Sequence, residues 1–298
     1  MPIRMKDLTD EDVFTGGHTA CPGCGGAMIA KNLMKVYGRN SIVYFPACCM
    51  LVFGGTYPLN AFRVPYLHVL FENSAACAGG IARALKRQGR EDVNVLAIAG
   101  DGGTADIGIQ ALSGAAERNE NITYVCYDNE AYMNTGIQRS GATPFRAWTT
   151  TTPVGSERAG KIEPKKNMPR IMMAHEVPYV ATASVSHPAD MLRKMEKAKG
   201  IKGFRYLHIL SPCPPGWRME ANLSIKAAKL AVDSGIWALY EYENGKFTIN
   251  VKPKMTPIKE YLDMQGRFKH LTPEERETIQ KWVEEKWRVD LALADVYK

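Results

Sequence analysis

The 298-residue sequence has no apolar run long enough to cross a bilayer. Its longest run, IVYFPACCMLVF at 42–53, is shorter than the roughly 18 residues that a span requires, and Pro46 interrupts it. The N-terminal stretch MPIRMKDLTDEDVF has acids where a secretory signal would have its apolar core. These absences predict a cytoplasmic protein without a membrane span, whose seven cysteines are reduced thiols or metal ligands.

A dense basic face with interleaved aromatic residues is also lacking. The net charge is +7, and small basic groups occur at 86–90 and 164–170. We interpret both groups as solvated faces and predict no nucleic-acid partner, because nucleic-acid binding usually needs a denser basic surface. With 45% hydrophobic residues, the chain is able to bury a large core.

Short runs rich in β-branched residues alternate with segments of helical period, which indicates an α/β fold. Because the strands are almost continuously apolar, we expect a mainly parallel sheet covered by helices on both faces. The predicted strands are 41–46, 66–71, 93–100, 122–128, 179–184 and 204–210. The clearest predicted helices are 74–88, 106–118, 167–175, 188–199 and 220–234.

After residue 236 the pattern changes. The segment WALYEYENGKFTINV reads as two alternating strands joined by an Asn-Gly turn, which favours a type I′ hairpin. Thr272 and Glu275 form a capping-box pattern at the start of a final helix. We therefore predict one α/β domain over 1–236 and a hairpin and helical extension over 237–298.

The segment AGDGGTADIGIQALSG has the outline of a diphosphate site. A buried strand ends at Gly100, Asp101 follows, and two glycines open a helix whose positive end favours anions. Asp101 would hold a divalent cation that bridges phosphate oxygens. The next strand ends one strand–helix–strand unit later, which places Asn129 beside Asp101.

The cysteines allow several interpretations. Cys21 and Cys24 in CPGC have the spacing of a metal site or of a redox dithiol, and this spacing alone does not distinguish the two. A structural zinc site would need a second spaced pair, whereas Cys48-Cys49 are adjacent. An iron–sulfur cluster is able to take single thiolates from distant loops, including Cys213 in SPCPPGW. Cys77 and Cys126 are interpreted as packing thiols.

These segments resemble one family. The GDG motif followed by DNEAYMNTGIQRSGATP resembles the thiamine diphosphate-binding β subunits of 2-oxoacid:ferredoxin oxidoreductases, of the pyruvate:ferredoxin oxidoreductase type. The resemblance extends from GHTACPGCGG through LSPCPPGW to YLDMQGRFKHL, nearly the whole chain. It implies that 1–236 is the pyrophosphate-type domain of the thiamine diphosphate fold and carries the loops of an iron–sulfur cluster.

The resemblance also implies roles for individual residues. It implies that the side chains of Asp101 and Asn129 and the backbone carbonyl of Ala131 are ligands of Mg²⁺. It implies that the cofactor or the reacting carbonyl group is contacted by Gly100, Gly102, Gly103 and Asn134, and that Asn134 is the catalytic residue. For a [4Fe-4S] cluster it implies Cys21, Cys24, Cys49 and Cys213, with Cys49 matching the family's ligand and Cys48 a position where the family often has glycine.

The implied reaction is oxidative decarboxylation of a 2-oxoacid, most closely pyruvate, with coenzyme A to acyl-CoA and CO₂. Electrons would pass through the cluster to ferredoxin. A partner α subunit would supply the aminopyrimidine-side domain and the activating glutamate, and further γ/δ-type subunits or domains would carry other clusters. Phenylglyoxylate, a branched-chain 2-oxoacid and oxalate are alternative substrates, and Gly141 stands where the pyruvate type usually has serine.

Two alternatives come from other classes of function. A zinc-stabilised binding module, which is not an enzyme, would explain CPGC and the basic charge but makes no use of the GDGG segment. A redox-free thiamine decarboxylase or synthase would explain 99–136 and leave the four candidate cluster cysteines without a role.

Overall fold

A computed structural model describes residue 8 and residues 10–55, 57–157 and 159–298 of the chain. Within these residues the strands are β1 Ser41–Phe45, β2 Tyr66–His68, β3 Asn94–Gly100, β4 Thr123–Asp128, β5 Tyr179–Ser184, β6 Arg205–Leu210, β7 Leu239–Glu243 and β8 Lys246–Val251. The α-helices are α1 Gly25–Tyr37, α2 Cys49–Gly54, α3 Ser74–Arg87, α4 Ile109–Glu117, α5 Met168–Met173, α6 Pro188–Gly200, α7 Pro214–Trp217, α8 Ser224–Asp233, α9 Ile258–Asp263 and α10 Pro273–Val296. The prediction that the N-terminus is not a secretory signal concerns residues 1–14. Of these, residues 1–7 and 9 lie outside the described residues.

The eight strands form one sheet in the order β2-β1-β3-β4-β6-β5-β7-β8. The first six strands along the chain pair in parallel, whereas β7 runs antiparallel to β5 and β8 antiparallel to β7. Crossover helices connect the parallel strands. The predicted α/β class is confirmed, and so are all six predicted strands, although the second ends at His68 instead of residue 71.

Apolar side chains cover both faces of this sheet, as expected for strands with continuous apolar runs. Along β3, Leu96 and Ile98 point into one core, while Val95 and Ala97 point into the other. The first core lies under α1, α6 and α8, and the second lies under α3 and α4. The sheet is therefore the middle layer of three, and its carboxyl edge is free to carry loops.

The C-terminal segment continues the same sheet. Asn244 and Gly245 have φ of 47° and 89°, as a type I′ turn requires, and they join β7 to β8. Thr272 and Glu275 form the predicted capping box at the start of α10, which packs along β8. A boundary at residue 236 stays a prediction.

Among the described residues, no helix has both the length and the apolar character to span a membrane.

Two helical regions differ from the predictions. The helix α1 begins directly after CPGC and was not among the predicted helices, because Gly25 and Gly26 at its start have low helical propensity. The helix predicted at 106–118 begins earlier, with a π-helical turn at Gly103–Ile107 before α4. In this wide turn a Cβ on Gly108 would lie 2.1 Å from the carbonyl oxygen of Gly103, so only glycine fits.

Candidate active site

Two loops that follow neighbouring strands meet at the carboxyl edge of the sheet. Strands β3 and β4 are adjacent and parallel, with Gly100 opposite Tyr127. The residues that follow them therefore emerge side by side, at the edge where open α/β sheets bind their ligands. The backbone N–H of Asn129 donates to Asp101 Oδ1 at 3.3 Å, so the structure brings these two residues together.

Three oxygen atoms converge beside Asp101. The side-chain oxygen of Asn129 faces only acceptors, lying 2.9 Å from Asp101 Oδ1 and 2.9 Å from the carbonyl oxygen of Ala131. Adjacent oxygens around an octahedral Mg²⁺ are about 2.9 Å apart, because Mg–O distances are about 2.1 Å. If the amide is turned over, its nitrogen donates to both oxygens instead. The donor set at this point fits a magnesium ion.

The environment of Asp101 favours a nearby cation. Burial raises the pKa of its carboxyl well above the usual range, and the charge of Asp128 raises it further. Ser140 acts in the opposite direction, since its hydroxyl donates to Asp101 Oδ2 at 2.5 Å. A buried carboxylate with an acidic neighbour keeps its charge when a positive ion lies against it. A divalent cation would supply that charge.

Asp128, the last residue of β4, is compensated from within the protein. Burial raises the pKa of its carboxyl, but Lys165 and His208 outweigh this effect and hold the pKa below its ordinary value. Lys165 Nζ lies 2.7 Å from Asp128 Oδ2 and 2.7 Å from Glu130 Oε1. His208 Nε2 lies 2.9 Å from Asp128 Oδ2. Lys165 supplies the positive charge and His208 a hydrogen bond, so Asp128 is compensated while Asp101 keeps an oxygen for a ligand.

Gly102 and Gly103 serve close packing at the start of the helical segment. Gly102 has φ −63° and ψ −46°, an ordinary helical backbone that does not require glycine. A Cβ on Gly102 would lie 2.4 Å from the ring of Tyr132, and one on Gly103 would lie 3.2 Å from the ring of Phe71. The absence of side chains at these positions lets the rings of Tyr132 and Phe71 pack directly against the backbone.

Four cysteines line one cavity of about 220 Å³ beside this point: Cys21, Cys24, Cys49 and Cys213. Cys24 and Cys213 are the N-cap residues of α1 and α7, and Cys49 is the first residue of α2. The thiol of Cys48 instead lies against the hydroxyl of Tyr127 in the interior. The structure thus brings the four sequence-predicted thiols together.

The protein by itself disfavours thiolates in this cavity. Burial, followed by the neighbouring thiols, raises the pKa of Cys49 well above its ordinary value. Burial is also the main reason that the pKa of Cys213 is raised to about 12, although the N–H of Gly216 opposes it. Thiolates here would need positive charge in the cavity. Four thiols from three loops suit a cluster in which each iron takes one protein thiolate.

Hydrogen bonds join the early and late cysteine loops. The N–H of Gly25 donates to the carbonyl of Pro212 at 3.0 Å, and Ser224 Oγ donates to the carbonyl of Gly23 at 2.8 Å. A Cβ on Gly25 would lie 2.8 Å from Pro212, so the two loops touch through backbone atoms. The CPGC loop is thereby held against the loop that follows β6.

Comparison with known proteins agrees with this geometry. Residues 48–209 match the family described as thiamine pyrophosphate enzyme, C-terminal TPP binding domain. Pyruvate synthase subunit PorB of Methanothermobacter thermautotrophicus is 51% identical over 278 residues, which cover 93% of this chain and 96% of that protein. This chain belongs to the β subunits of 2-oxoacid:ferredoxin oxidoreductases. Ketoisovalerate oxidoreductase subunit VorB of Pyrococcus abyssi is 46% identical, over 99% of this β subunit and 97% of that protein.

A solved relative supports the same fold. The structure described as 2-oxoglutarate:ferredoxin oxidoreductase from Magnetococcus marinus, with 2-oxoglutarate, coenzyme A and succinyl-CoA bound, has a TM-score of 0.57 and 25% identity. The match covers 76% of this β subunit and 80% of that chain. The resemblance and the thiamine diphosphate-binding fold predicted from sequence are both confirmed.

Sequence reasoning missed the charged residues behind residues 128–131, the loop with the predicted magnesium ligands Asn129 and Ala131, which we call the metal loop. It interpreted 164–170 as a solvated face, which is wrong, because Lys165 pairs with Asp128 and Glu130 and Lys166 pairs with Asp106. No spacing rule links Lys165 to acids more than thirty residues upstream, so the sequence held no signal for this contact. The other basic group, 86–90, is exposed as predicted.

Other candidate residues lie at the rim or in the core. Asn134 is exposed and lines the cysteine cavity together with Asn129. Cys126 is part of the core under α3 and α4, and Cys77 packs against it. Across the described ranges, no three His, Cys, Asp or Glu side chains are grouped closely enough to hold a single metal ion.

Proposed function

We propose that this β subunit binds the diphosphate end of thiamine diphosphate, with Mg²⁺, and one [4Fe-4S] cluster. In this proposal it is part of an enzyme that oxidatively decarboxylates a 2-oxoacid with coenzyme A to acyl-CoA and CO₂. Electrons leave through the cluster to ferredoxin. Family membership and the shared location of the two sets of ligands support this assignment.

One observation carries the proposal. The side-chain oxygen of Asn129, Asp101 Oδ1 and the Ala131 carbonyl oxygen form the oxygen triad. Asn129 also lines the cavity that is lined by Cys21, Cys24, Cys49 and Cys213. A cofactor held through magnesium at Asp101 would therefore neighbour a cluster held in that cavity. A redox-free thiamine enzyme would have no use for this arrangement.

The chain's own residues bind and orient the diphosphate. Asp101, Asn129 and the carbonyl of Ala131 hold the magnesium ion that neutralises phosphate oxygens. Gly102 and Gly103 let the backbone come close, and the start of the helical segment favours the negative charge. When bound, thiamine diphosphate would supply a nucleophilic carbon for the 2-oxoacid carbonyl and a positively charged ring that accepts the electron pair left by loss of CO₂.

The remaining proposed residues act around this group. Asn134 lines the cavity, and its proposed role is to donate a hydrogen bond from its amide to the reacting carbonyl group. Cys21, Cys24, Cys49 and Cys213 hold the cluster through their sulfurs, each bonding one iron. The N–H of Gly216 against Cys213 stabilises the thiolate form that ligation requires.

The proposal requires partner subunits. An α subunit would cover the aminopyrimidine end of the cofactor and supply the activating glutamate, and γ/δ-type subunits or domains would carry further clusters toward ferredoxin. Large apolar side chains are exposed around the β2 edge of the sheet: Val52 42%, Tyr57 91%, Leu59 53%, Leu67 49%, Leu70 67% and Ile107 49%. Exposed apolar groups mark protein interfaces. Leu70 directly precedes Phe71, whose ring a Cβ on Gly103 would meet at 3.2 Å.

Pyruvate is the proposed substrate. PorB is 51% identical to this chain and VorB 46%, both over most of the sequence, so identity alone separates pyruvate from ketoisovalerate only weakly. A serine at position 141 would be crowded, because a Cβ on Gly141 would lie 2.5 Å from Asp106 Oδ1. A branched-chain 2-oxoacid, phenylglyoxylate and oxalate are the alternatives.

The test is acceptor reduction by the anaerobically purified complex with a panel of 2-oxoacids. Reduction of ferredoxin that requires both coenzyme A and thiamine diphosphate is expected, with the highest kcat/KM for pyruvate. A higher value for a branched-chain acid, phenylglyoxylate or oxalate would replace pyruvate as the substrate. If no 2-oxoacid is oxidised by a complex that contains iron and cofactor, the proposed function is wrong.

A further inference from the structure

The segment YLDMQGRFKHL contains a buried arginine that the proposed chemistry leaves without a role. Arg267 lies in the 3-10 turn Gly266–Phe268 of the C-terminal extension, and only 2% of its surface is exposed. Gln265 beside it is fully buried. A buried guanidinium is retained only where specific partners compensate its charge, so its contacts indicate what it does.

Arg267 reaches out of its own segment to the metal loop. Its Nη2 lies 2.5 Å from Glu130 Oε2, and its Nε donates to Gln265 Oε1 at 2.9 Å. The guanidinium carbon also lies 4.3 Å from the ring centroid of Trp217. The edge of the Arg267 guanidinium thus pairs with the Glu130 carboxylate, while its face packs against the Trp217 indole.

Glu130 is the residue between two of the proposed magnesium ligands. It is buried and has φ of 71°, a left-handed conformation that a glutamate rarely adopts. This turn directs the Asn129 side chain and the Ala131 carbonyl to one point. Arg267 and Lys165 hold the two carboxylate oxygens of Glu130, one each. The strained turn is therefore anchored through its side chain.

Trp217 connects the same arginine to the cluster loop. Its indole Nε1 donates to the carbonyl of Asn129 at 2.9 Å. Trp217 is also the last residue of α7, whose N-cap is Cys213, and its N–H donates to the Cys213 carbonyl at 2.8 Å. A shift of the Trp217 ring would move both Asn129 and the helix that presents Cys213.

We infer that Arg267 is a positioning residue that fixes the metal loop and the Cys213 helix relative to each other from the C-terminal extension. The inference rests on the proposed function, because it assigns Asn129 and Ala131 to magnesium and Cys213 to the cluster. It gives the extension a role in both sites, although it contributes none of the proposed ligands. Arg267 acts through Glu130 on one side and through Trp217 on the other.

The test compares Arg267→Met with wild type in the assembled complex. Removing Arg267 takes away one of the two cations that hold Glu130 and the guanidinium that packs on Trp217. We expect the Kd of thiamine diphosphate in the presence of Mg²⁺ to rise about 10- to 100-fold, the range seen when groups behind metal ligands are lost. We also expect the electron paramagnetic resonance signal of the reduced cluster on this chain to change shape, while kcat at saturating cofactor falls less than the affinity.

Arg276→Met is the matched control. Arg276 lies in the same extension and pairs with Asp263 at 2.5 Å, away from the metal loop. This variant should bind cofactor and show the cluster signal as wild type does. Arg267→Lys, which keeps the charge but not the planar fork, should recover part of the affinity.

A double variant guards against failure of Arg267→Met to assemble. Glu130→Gln with Arg267→Met leaves no unpaired charge between these positions, and it should assemble and still bind cofactor weakly. Unchanged affinity and an unchanged cluster signal in either assembled variant would overturn the inference. So would failure of both variants to assemble while Arg276→Met assembles, because the arginine would then serve folding alone. Failure of the proposed function is distinguishable, since wild type itself would then bind no thiamine diphosphate.

Discussion

Asn129 is the residue at which the two halves of the site meet. Its side chain converges with Asp101 and Ala131, and its backbone carbonyl accepts a hydrogen bond from Trp217. The metal loop and the cysteine helix are therefore held by different atoms of one residue. Because each position is fixed by a short contact, single substitutions here should separate metal binding from cluster binding.

Cys213→Ala tests the cluster assignment. The substitution removes one of four thiols around the cavity, and a cubane cluster with one ligand missing is readily lost. We expect the purified complex to lose about four irons per β subunit, measured as iron content under anaerobic conditions. The thiamine diphosphate content should fall much less, since the oxygen triad is intact.

Cys77→Ala is the matched cysteine control, because Cys77 packs on the core under α3 and α4, away from the cavity. Its iron content should equal that of wild type. Iron retained in Cys213→Ala, or zinc in place of iron in wild type, would contradict the assignment and favour a structural metal site.

At the scale of elements, an ion-pair network joins α6 to β7. Glu241 of β7 lies 2.7 Å from Arg193 and 2.9 Å from Lys197, which are one turn apart on α6. It also accepts a hydrogen bond from Tyr179 at 2.7 Å. Burial raises the pKa of Glu241, but these partners outweigh burial and lower it to about 2. The network fixes the helix across the point where antiparallel β7 joins the parallel sheet.

Glu241→Gln should lower the free energy of unfolding by about 1–3 kcal/mol at pH 7, because its charged hydrogen bonds to Arg193 and Lys197 are lost. The contribution of Glu241 is present above the unfolded-state pKa of about 4.3 and is lost as pH falls toward the folded value. The difference between variant and wild type should therefore shrink between about pH 4.3 and pH 2. Thermal unfolding followed by circular dichroism at several pH values measures it.

Glu243→Gln is the control for this network. The Glu243 side chain is 41% exposed and pairs only with Lys197 among the contacts described, at 3.0 Å. An exposed pair contributes about 1 kcal/mol or less, so its loss should change stability little. If both substitutions lower the free energy of unfolding equally, burial of Glu241 does not strengthen its ion pairs.

On the scale of the whole molecule, the two edges of the sheet differ in what covers them. The β8 edge is packed by α10, whereas β2 has Leu67 exposed and is followed by Leu70, which is 67% exposed. An uncovered strand edge with apolar neighbours is a surface for another chain. In the proposed complex, the α subunit would cover this edge and complete the cofactor site.

Leu70→Asp should weaken assembly with the α subunit without unfolding this chain, since the side chain is already largely in water. Co-purification with a tagged α subunit and size-exclusion chromatography measure the effect. Val296→Asp is the control, because Val296 is 75% exposed on α10 at the opposite edge. If both variants assemble normally, the α subunit does not use the β2 edge.

The sequence predicted the strands well because their β-branched runs are long and buried on both faces. It placed Asp101 and Asn129 together from one rule, that adjacent parallel strands end at the same edge. It also identified four cysteines that the structure gathers around one cavity. It did not predict α1, because glycines at Gly25 and Gly26 mask a helix whose stability comes from packing.

What the sequence determined by itself is local: periodicity, turn chemistry and motifs that resemble a family. Only the tertiary structure decided how Lys165, Arg267 and Trp217 support the site, because they come from segments that no periodicity or spacing links to the metal loop. Their burial is favourable only when their partners are already in place, and the complete fold alone supplies those partners. The candidate ligands could therefore be named from the sequence, whereas the contacts that support them depend on the fold.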